Sequence, residues 1–238
     1  NGWATVNPTH KARIRGRDES ERYKAIAPQL RSKFVKALDK HELLKPICMT
    51  AMYGGLRIGE ILALRWQDVD NNKTLLVNAS ISQVTKFDKE GNVLDRITVI
   101  GDTKTSASVR EVPIPDILIS VLEDWRKVQW VKKEICKIDL LAPESLVFPN
   151  NDGSVRTYSG TRHTLNRFLK RHNLHKHRIQ FHTLRHTYSN MLFESGENPK
   201  IIQALLGHKE VSTTLTVYNS VDKTYFKQAT SRLNDLFN

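Results

Sequence analysis

The stretch HTLRHTYSNMLFESGENPKIIQALLGHKEVSTTLTVY, residues 182–218, has the pattern of successive short amphipathic helices. Its apolar residues recur at spacings of three and four up to Gly196, and a glycine is a common helix end. Asn198 followed by proline is typical of an N-cap, so a second helix is predicted there, ending at Gly207. Ser212 can cap one more short helix.

Upstream of this stretch the pattern changes from helices to strands and back to helices. Helical spacing begins near Ala27, continues over residues 43–53 and resumes briefly over residues 58–65. Three segments rich in β-branched residues then predict strands. These segments are LLVNASISQV (75–84), DRITVI (95–100) and SVREVPI (108–114). Helices return after Pro115, so the sequence predicts a mainly α fold with a small antiparallel β-sheet, of the α+β class.

The composition excludes several classes of protein. The chain has 238 residues, of which 39% are hydrophobic and 26% charged, so it is not an intrinsically disordered chain. No run approaches the roughly 18 apolar residues of a membrane span. The two distant cysteines, Cys48 and Cys136, exclude a disulfide framework and fit a reducing compartment. The first residue is not Met, and no signal peptide precedes the first helix. We expect a cytoplasmic piece of a longer protein.

The charge is strongly positive and unevenly distributed. Lys and Arg number 37 against 25 Asp and Glu, which gives a formal net charge of +12. Between Gly153 and Phe193 there is no acidic residue, yet this stretch holds six of the nine histidines. An acid-free cationic stretch attracts a polyanion, because each cation placed on a phosphate releases a counterion. Nucleic-acid contacts are expected from Lys11, Arg13, Arg15, Arg162, His163, Arg167 and Arg178.

Four short segments hold residues suited to phosphate chemistry. They are GGLRIGE (54–60), TKT (103–105), HTLRH (182–186) and LLGH (205–208), the last followed by Tyr218. Each also has an ordinary interpretation. Arg57 could form a surface ion pair, and Lys104 could be a solvated turn lysine. His182 and Arg185 could cap a helix, and Tyr218 could be a core residue.

Together and in this order, the segments resemble the tyrosine recombinases, the integrase family of phages and mobile elements. The resemblance spans the chain from about Tyr23 to its end and implies the catalytic-domain fold of that family. HTLRH, LLGH and the spaced tyrosine are specific motifs, and GLRIGE adds to them. The segment Phe87–Asp95, ahead of Lys104, departs from the family pattern by lengthening the sheet.

The resemblance implies that Arg57 and Arg185 clamp the scissile phosphate. Charge builds up on the non-bridging oxygens of a phosphodiester in its transition state, and planar guanidinium groups match that geometry. Lys104 matches the hairpin lysine of the family and could protonate the leaving 5′ oxygen. Glu60, one turn beyond Arg57, is expected to orient a cationic or imidazole partner.

The resemblance further implies that Tyr218 is the nucleophile. A phenol is weak until its proton is removed, and His182 is the expected base because imidazole titrates in the useful range. His208 matches the next imidazole position of the family and could hydrogen-bond a phosphate oxygen.

The implied activity is site-specific DNA recombination by an enzyme of this family. Attack of the tyrosine gives a 3′-phosphotyrosyl link and a free 5′-hydroxyl, and a 5′-hydroxyl from another strand then rejoins the DNA. Because the covalent link stores the bond energy, no ATP is expected, and the guanidinium groups make a metal or other cofactor unnecessary.

The expected organisation is one catalytic domain over residues 21–238, preceded by an inter-domain linker or basic arm over residues 1–20. An amphipathic tail helix over residues 219–238 is expected to pack on a neighbouring protomer. The implied partner is double-stranded DNA, on which the chain would form a homotetramer, and the free chain would be a monomer without membrane contact.

Three alternatives remain open from the sequence. A type IB topoisomerase has a similar active site but religates the same strand, and a non-catalytic DNA-binding module needs only the basic surface. A zinc site is the third, because five histidines lie between His172 and His186. The zinc-protease pattern requires Glu directly after the first histidine, where this chain has Thr183, and the neighbouring cations oppose metal binding.

Overall fold

The chain folds into seven helices and five strands over the residues that the structure describes. The structure is a computed structural model that describes residues 25–70, 72–102 and 109–207. The helices are α1 (Pro28–Leu38), α2 (Leu44–Tyr53), α3 (Ile58–Ala63), α4 (Asp116–Cys136), α5 (Tyr158–Arg171), α6 (Phe181–Glu194) and α7 (Pro199–Leu206). The strands are β1 (Val69–Asp70), β2 (Thr74–Val77), β3 (Ala79–Phe87), β4 (Val93–Asp102) and β5 (Arg110–Pro113). This helix-rich fold with small antiparallel sheets confirms the predicted α+β class.

The described strands form two antiparallel sheets, whereas the sequence predicted one. In the first sheet β2 lies between β1 and β5, and in the second β3 and β4 pair along their length as a long ribbon. The predicted strand over residues 75–84 is broken at Asn78. The Asn78 side-chain amide donates a hydrogen bond to Asp68 Oδ1 at 2.9 Å, which fixes the chain where it passes from one sheet to the other.

Helix α2 is the centre of the core. Eight of its ten residues are buried, and the helix contacts α1, α3, α4 and α6. A helix surrounded on all sides needs apolar residues around its whole circumference, which explains why α2 carries almost no polar face. Phe34 and Leu38 of α1 belong to the same core cluster, as do Leu165 of α5 and Leu184 of α6. The first six helices therefore share one core.

Helix α4 follows Pro115, where the sequence predicted that helices return, and carries an apolar stripe. Leu118, Leu122 and Trp125 are buried on its inner face, and Trp125 Nε1 donates to the carbonyl oxygen of Val147 at 2.6 Å. Its exposed residues include charged side chains and also the apolar Ile117, Trp130, Val131 and Ile135. Within the described ranges, no helix is both long enough and apolar enough to cross a membrane.

Helix α7 packs on α6 through a small separate cluster. Tyr188 of α6 contacts Ile202 and Leu206 of α7 in this cluster. The predicted N-cap is confirmed, since the Asn198 side chain accepts a hydrogen bond from the backbone of the second residue of α7. Gly207 ends the helix with a left-handed φ of 63°. The predicted linker at residues 1–20 and the tail helix at residues 219–238 lie outside the described residues.

Candidate active site

Arg57 is the N-cap residue of α3 and closely follows the double-glycine turn at Gly54 and Gly55. Its backbone N–H donates to Glu60 Oε2 at 2.8 Å, and its Nη1 donates to Glu60 Oε1 at 2.9 Å. This capping box satisfies an otherwise unpaired donor of the short helix. The Arg57 side chain is nevertheless 45% exposed, so the predicted ion pair forms while part of the guanidinium still faces solvent.

The turn before Arg57 depends on a glycine. Gly55 has a φ of 66°, and a Cβ atom there would lie 2.3 Å from the ring of Tyr188. One residue after the start of α3, a Cβ at Gly59 would lie 2.6 Å from the hydroxyl of Ser80 in β3. The backbone on either side of Arg57 therefore packs closely against α6 and against the ribbon of β3 and β4.

Arg185 reaches the same place from α6 and is buried. Its Nη1 donates to the carbonyl oxygen of Gly55 at 2.6 Å and lies 3.7 Å from Glu60 Oε2. Its Nη2 donates to the carbonyl oxygen of Leu206 at the end of α7. Burial and the nearby charge of Arg57 lower the pKa of Arg185 to about 9, although Glu60 acts in the opposite direction. The two predicted phosphate-clamping arginines thus lie beside one carboxylate.

A third arginine, Arg110, belongs to the cluster and was not predicted. It begins β5, and its side chain is only 8% exposed. Its Nη2 donates to Glu60 Oε2 at 2.9 Å and its Nη1 to Glu60 Oε1 at 3.2 Å. Its Nε donates to the carbonyl oxygen of Leu205 at 2.9 Å. The only sequence feature that points to Arg110 is its position in the strand that follows the segment of Lys104.

Glu60 is the shared partner of these arginines. Its side chain is 3% exposed. Burial alone would raise its pKa, but the hydrogen bonds and charge of Arg110, the charge of Arg185 and the backbone N–H of Arg57 hold that pKa below the ordinary 4.5. Glu60 therefore stays ionised near neutral pH. The sequence led us to expect either a cation or an imidazole as the partner of Glu60, and in the structure its partners are the cationic arginines.

His182 lies beside the arginines on the first turn of α6. Its ring makes an edge-to-face contact with the ring of His186, with centroids 4.5 Å apart. Partial desolvation, with the charges of Arg185 and Arg57, lowers the pKa of His182 below 6.5. Burial, with His182 and Arg185, lowers the pKa of His186 to about 4. Both imidazoles are therefore neutral at pH 7, the state in which a histidine can accept a proton.

A shallow groove, here called the site groove, brings the predicted residues to the surface. It is lined by Arg57, Ile58, Gly59, Ser80, Tyr158, Gln180, Phe181, His182 and Arg185. Cations and a neutral imidazole on one surface suit an anion that must exchange a proton during reaction. The structure thus brings Arg57, His182 and Arg185 together from two distant segments.

A second groove, here called the basic groove, lies next to the first. It is lined by His163, Asn166, Arg167, Leu169, Lys170, His175, Arg178, Ile179 and Gln180. Gln180 lines both grooves, so they are neighbours on the surface. Of the predicted nucleic-acid contacts, His163, Arg167 and Arg178 line the basic groove, whereas Arg162 is exposed on α5 outside it.

The remaining predicted site residues lie outside the described part of the chain. They are Lys104, His208 and Tyr218 of the catalytic set, and Lys11, Arg13 and Arg15 of the nucleic-acid contacts. Gly207, the last described residue, directly precedes His208. The end of α7 therefore marks the point from which the segment with two predicted catalytic residues departs.

Of the five histidines that suggested a zinc site, His182 and His186 are in contact, and the other three have different surroundings. The ring of His172 packs on Phe168, with centroids 4.6 Å apart, while His175 and His177 are exposed in a short 3-10 turn. In the part of the chain that the structure describes, no three His, Cys, Asp or Glu residues come together as metal ligands.

Comparison with known proteins places the chain among recombinases. The model of the Phage integrase family matches residues 24–224. A "Tyrosine recombinase XerC-like" protein of Caldanaerobacter subterraneus subsp. tengcongensis is 36% identical over 86% of this chain and 52% of its own length. The ICEBs1 integrase of Bacillus subtilis is 28% identical over 88% of this chain and 54% of its own. The chain thus spans about half the length of these curated relatives.

Solved structures agree on the fold. The Tn1549 transposon integrase, solved in complex with transposon right end DNA, superposes with a TM-score of 0.66 at 21% identity. The match covers 90% of this chain and 66% of that one. XerA recombinase gives a TM-score of 0.63 at 19% identity, over 87% of this chain and 62% of that one. With a family model that covers most of its length, the chain belongs to the phage integrase family, the tyrosine recombinases.

Proposed function

We propose that this chain is the catalytic part of a site-specific DNA recombinase that cleaves and rejoins DNA through a phosphotyrosyl link on Tyr218. The observation that carries the proposal is the site groove, where Arg57, Arg185 and His182 meet although they come from distant segments. Family membership and the names of the relatives, recombinases and integrases, support the same activity.

In this proposal the arginines act on the scissile phosphate. Arg57 still has an exposed guanidinium edge, and Arg185 lines the groove while its other bonds hold it in place. Charge stabilisation by fixed donors requires no reorganisation when charge develops on the phosphate oxygens. Neither a metal ion nor another cofactor is needed for this step.

Proton transfer and nucleophilic attack complete the reaction. Neutral His182 takes the proton of the Tyr218 hydroxyl as the phenolic oxygen bonds to phosphorus and the 5′ oxygen leaves. Lys104 gives a proton to that leaving oxygen, and His208 hydrogen-bonds a non-bridging phosphate oxygen. Attack of a 5′-hydroxyl from a second strand on the 3′-phosphotyrosyl link restores the phosphodiester and frees the tyrosine.

Duplex DNA would extend from the site groove across the basic groove. The two grooves adjoin at Gln180, and the cations of the basic groove are suited to backbone phosphates beyond the scissile one. Arg162 on the outer side of α5, and the amino-terminal Lys11, Arg13 and Arg15, would add further phosphate contacts.

Strand exchange between two duplexes would require four copies of the chain. In this proposal residues 219–238 pack on a neighbouring protomer, so a homotetramer forms on DNA and the free chain is a monomer. Residues 1–20 connect residues 21–238, the catalytic domain, to the rest of the protein. Sedimentation of the chain with and without two recombining duplexes measures this assembly.

The test is capture of the covalent adduct. The chain is incubated in EDTA with a pool of nicked duplexes whose central segments are randomised, so that cleavage near the nick releases a short strand and traps the enzyme. We expect a denaturation-resistant adduct whose DNA-linked peptide contains Tyr218. In Tyr218→Phe the adduct disappears, while the affinity for the same pool is unchanged.

Tyr225→Phe is the matched control, because it removes another phenol seven residues downstream and should leave the adduct intact. An adduct of undiminished yield in Tyr218→Phe would show that the nucleophile is a different residue. Cleavage that occurs without adduct and depends on added metal would contradict the proposed function altogether.

A further inference from the structure

The three arginines of the cluster all bond to the end of α7. Arg110 donates to the carbonyl oxygen of Leu205, Arg185 to that of Leu206 and Arg57 to that of Gly207. These are consecutive carbonyls at the carboxyl end of α7, two in its last turn and one at its cap, and the last carbonyls of a helix have no partner within the helix. Cations at a helix C-terminus also interact favourably with its dipole.

The three hydrogen bonds differ in length and in exposure to solvent. The bond of Arg185 is short and buried and that of Arg110 is 2.9 Å long and partly buried, whereas that of Arg57 is 3.4 Å long and exposed. Arg57 is therefore the member that can most easily exchange its carbonyl for a phosphate oxygen. The buried pair keeps α7 attached when that exchange takes place.

Arg110 differs from the other two in where it faces. Arg57 and Arg185 line the site groove, but Arg110 does not. Among the described residues, its guanidinium donates to both carboxylate oxygens of Glu60 and to the Leu205 carbonyl at the end of α7. A Cβ at Gly207 would lie 3.1 Å from Arg110 Nη1, so the helix end packs directly against it.

We propose that Arg110 is a positioning residue: through Glu60 and the Leu205 carbonyl it holds the two groove arginines and the end of α7 in one fixed geometry. The inference rests on the proposed function and adds to it a residue that touches no substrate. Its effect reaches the reaction at two places. It aligns the carboxylate that orients Arg57 and Arg185, and it fixes the point from which His208 and Tyr218 depart.

The expected effect is on the reaction rate and not on DNA affinity. Lysine at position 110 keeps the charge but offers a point donor, so it cannot bond both carboxylate oxygens and the carbonyl as a planar guanidinium does. Misplacement of reacting groups by about 1 Å can slow an enzyme about 100-fold. We therefore expect Arg110→Lys to slow adduct formation about 10- to 100-fold at saturating DNA.

The experiment compares Arg110→Lys with Arg31→Lys on the randomised nicked duplex pool. Arg31 is a matched control, since it forms a partly exposed ion pair with Glu194 at 3.8 Å on another face. Three quantities are measured for each variant: the single-turnover rate of adduct formation at saturating DNA, the dissociation constant and the melting temperature. Arg110→Gln gives the same comparison with a neutral hydrogen-bonding side chain.

Slower adduct formation with an unchanged dissociation constant supports the positioning role, since a general loss of folding would weaken binding in parallel. Adduct formation by Arg110→Lys at the rate of Arg31→Lys overturns the inference and leaves the proposed function intact. A fall of rate and affinity together, in proportion to a lower melting temperature, also overturns it. Absence of adduct from the unmodified chain overturns the proposed function and the inference with it.

Discussion

Within the described part of the chain, Glu60 is the carboxylate that pairs with three guanidinium groups, from the start of α3, from β5 and from α6. Both of its oxygens accept hydrogen bonds, and its side chain is almost completely buried. Removing one partner of a buried ionic group is costly because the other charges stay desolvated without compensation. The stability of the site therefore depends strongly on this single residue.

Glu60→Gln should lower the free energy of unfolding by about 3 kcal/mol or more. The amide keeps the size of the carboxylate but removes the anion that the buried Arg110 and Arg185 share. Urea denaturation followed by circular dichroism measures the change. Asp124→Asn is the control, because it breaks an exposed ion pair with Lys127 and should cost about 0.5 kcal/mol or less.

Comparison of the unmodified chain with Glu60→Gln also gives a pH-dependent prediction. The pKa of Glu60 in the folded chain lies below its ordinary 4.5, so its ionised form stabilises the fold above pH 4.5. This stabilisation is lost as the pH falls through the folded pKa. The difference in stability between the unmodified chain and Glu60→Gln should therefore narrow below pH 4.5. A difference that stays constant down to the acid transition would contradict this account of Glu60.

At the residue scale the sequence predicts local partners better than distant ones. The sequence places Arg57 just after a double-glycine turn and Glu60 one helical turn further on, and the structure pairs these two neighbours. Arg110 was not predicted, because the chain has many basic residues and the partner that accompanies its burial, Glu60, lies 50 residues away. No local pattern distinguishes a buried arginine of this kind from a solvated one.

The turn between α2 and α3 is the element on which the site geometry depends. Gly55 combines a left-handed φ of 66° with direct contact against the ring of Tyr188, and its carbonyl oxygen accepts the bond from Arg185. A side chain at this position would strain the backbone and push α6 away from the turn. Both effects would separate Arg57 from Arg185.

Gly55→Ala should destabilise the chain more than Gly91→Ala. Both glycines have a positive φ, which costs an alanine about 1–2 kcal/mol. Only Gly55 adds a steric clash, worth about 1–3 kcal/mol more, since a Cβ at Gly91 would meet nothing within 4 Å. Thermal denaturation of the two variants measures the difference. Equal melting temperatures would mean that Tyr188 and α6 move away from the new methyl group with no loss of stability, which would contradict the prediction.

At the scale of elements, the helices were predictable and the sheet arrangement was not. Period and capping residues located α2, α6 and α7 to within about two residues. The β-branched run over residues 75–84 gave no indication that Asn78 divides it between two sheets. That division depends on a hydrogen bond to Asp68, which lies in a different element.

At the scale of the whole molecule, part of the positive charge of the described residues is gathered on one surface. The acid-free stretch found in the sequence forms α5, the following 3-10 turn and nearly all of α6, with Arg185 buried within it. Three exposed cations of that stretch, Arg167, Lys170 and Arg178, line the basic groove beside the site groove. The sequence indicated that some arginines act at the scissile phosphate and others on the DNA surface. The fold was needed to tell that Arg185 is buried at the site while Arg167 and Arg178 are exposed in the basic groove.

Binding of DNA should weaken steeply with salt, and Arg167→Gln and Arg178→Gln should each reduce that dependence. If each residue contacts one phosphate, each substitution lowers the slope of log affinity against log salt by about one. Fluorescence anisotropy on a duplex over a salt series gives the slopes. Lys127→Gln is the control, because Lys127 pairs with Asp124 on α4 and should leave the slope unchanged.

The imbalance of charge in the arginine cluster links substrate to folding. Among the described residues, three guanidinium groups share one carboxylate, so positive charge is in excess there, and Arg110 and Arg185 carry it at the cost of burial. The depressed pKa of Arg185 is one sign of that cost. A phosphodiester in the site groove would supply part of the missing negative charge, and a ligand that binds only the folded state shifts the unfolding equilibrium in favour of that state. The polyanion that this chain would cut would thus also act as a ligand that completes its fold.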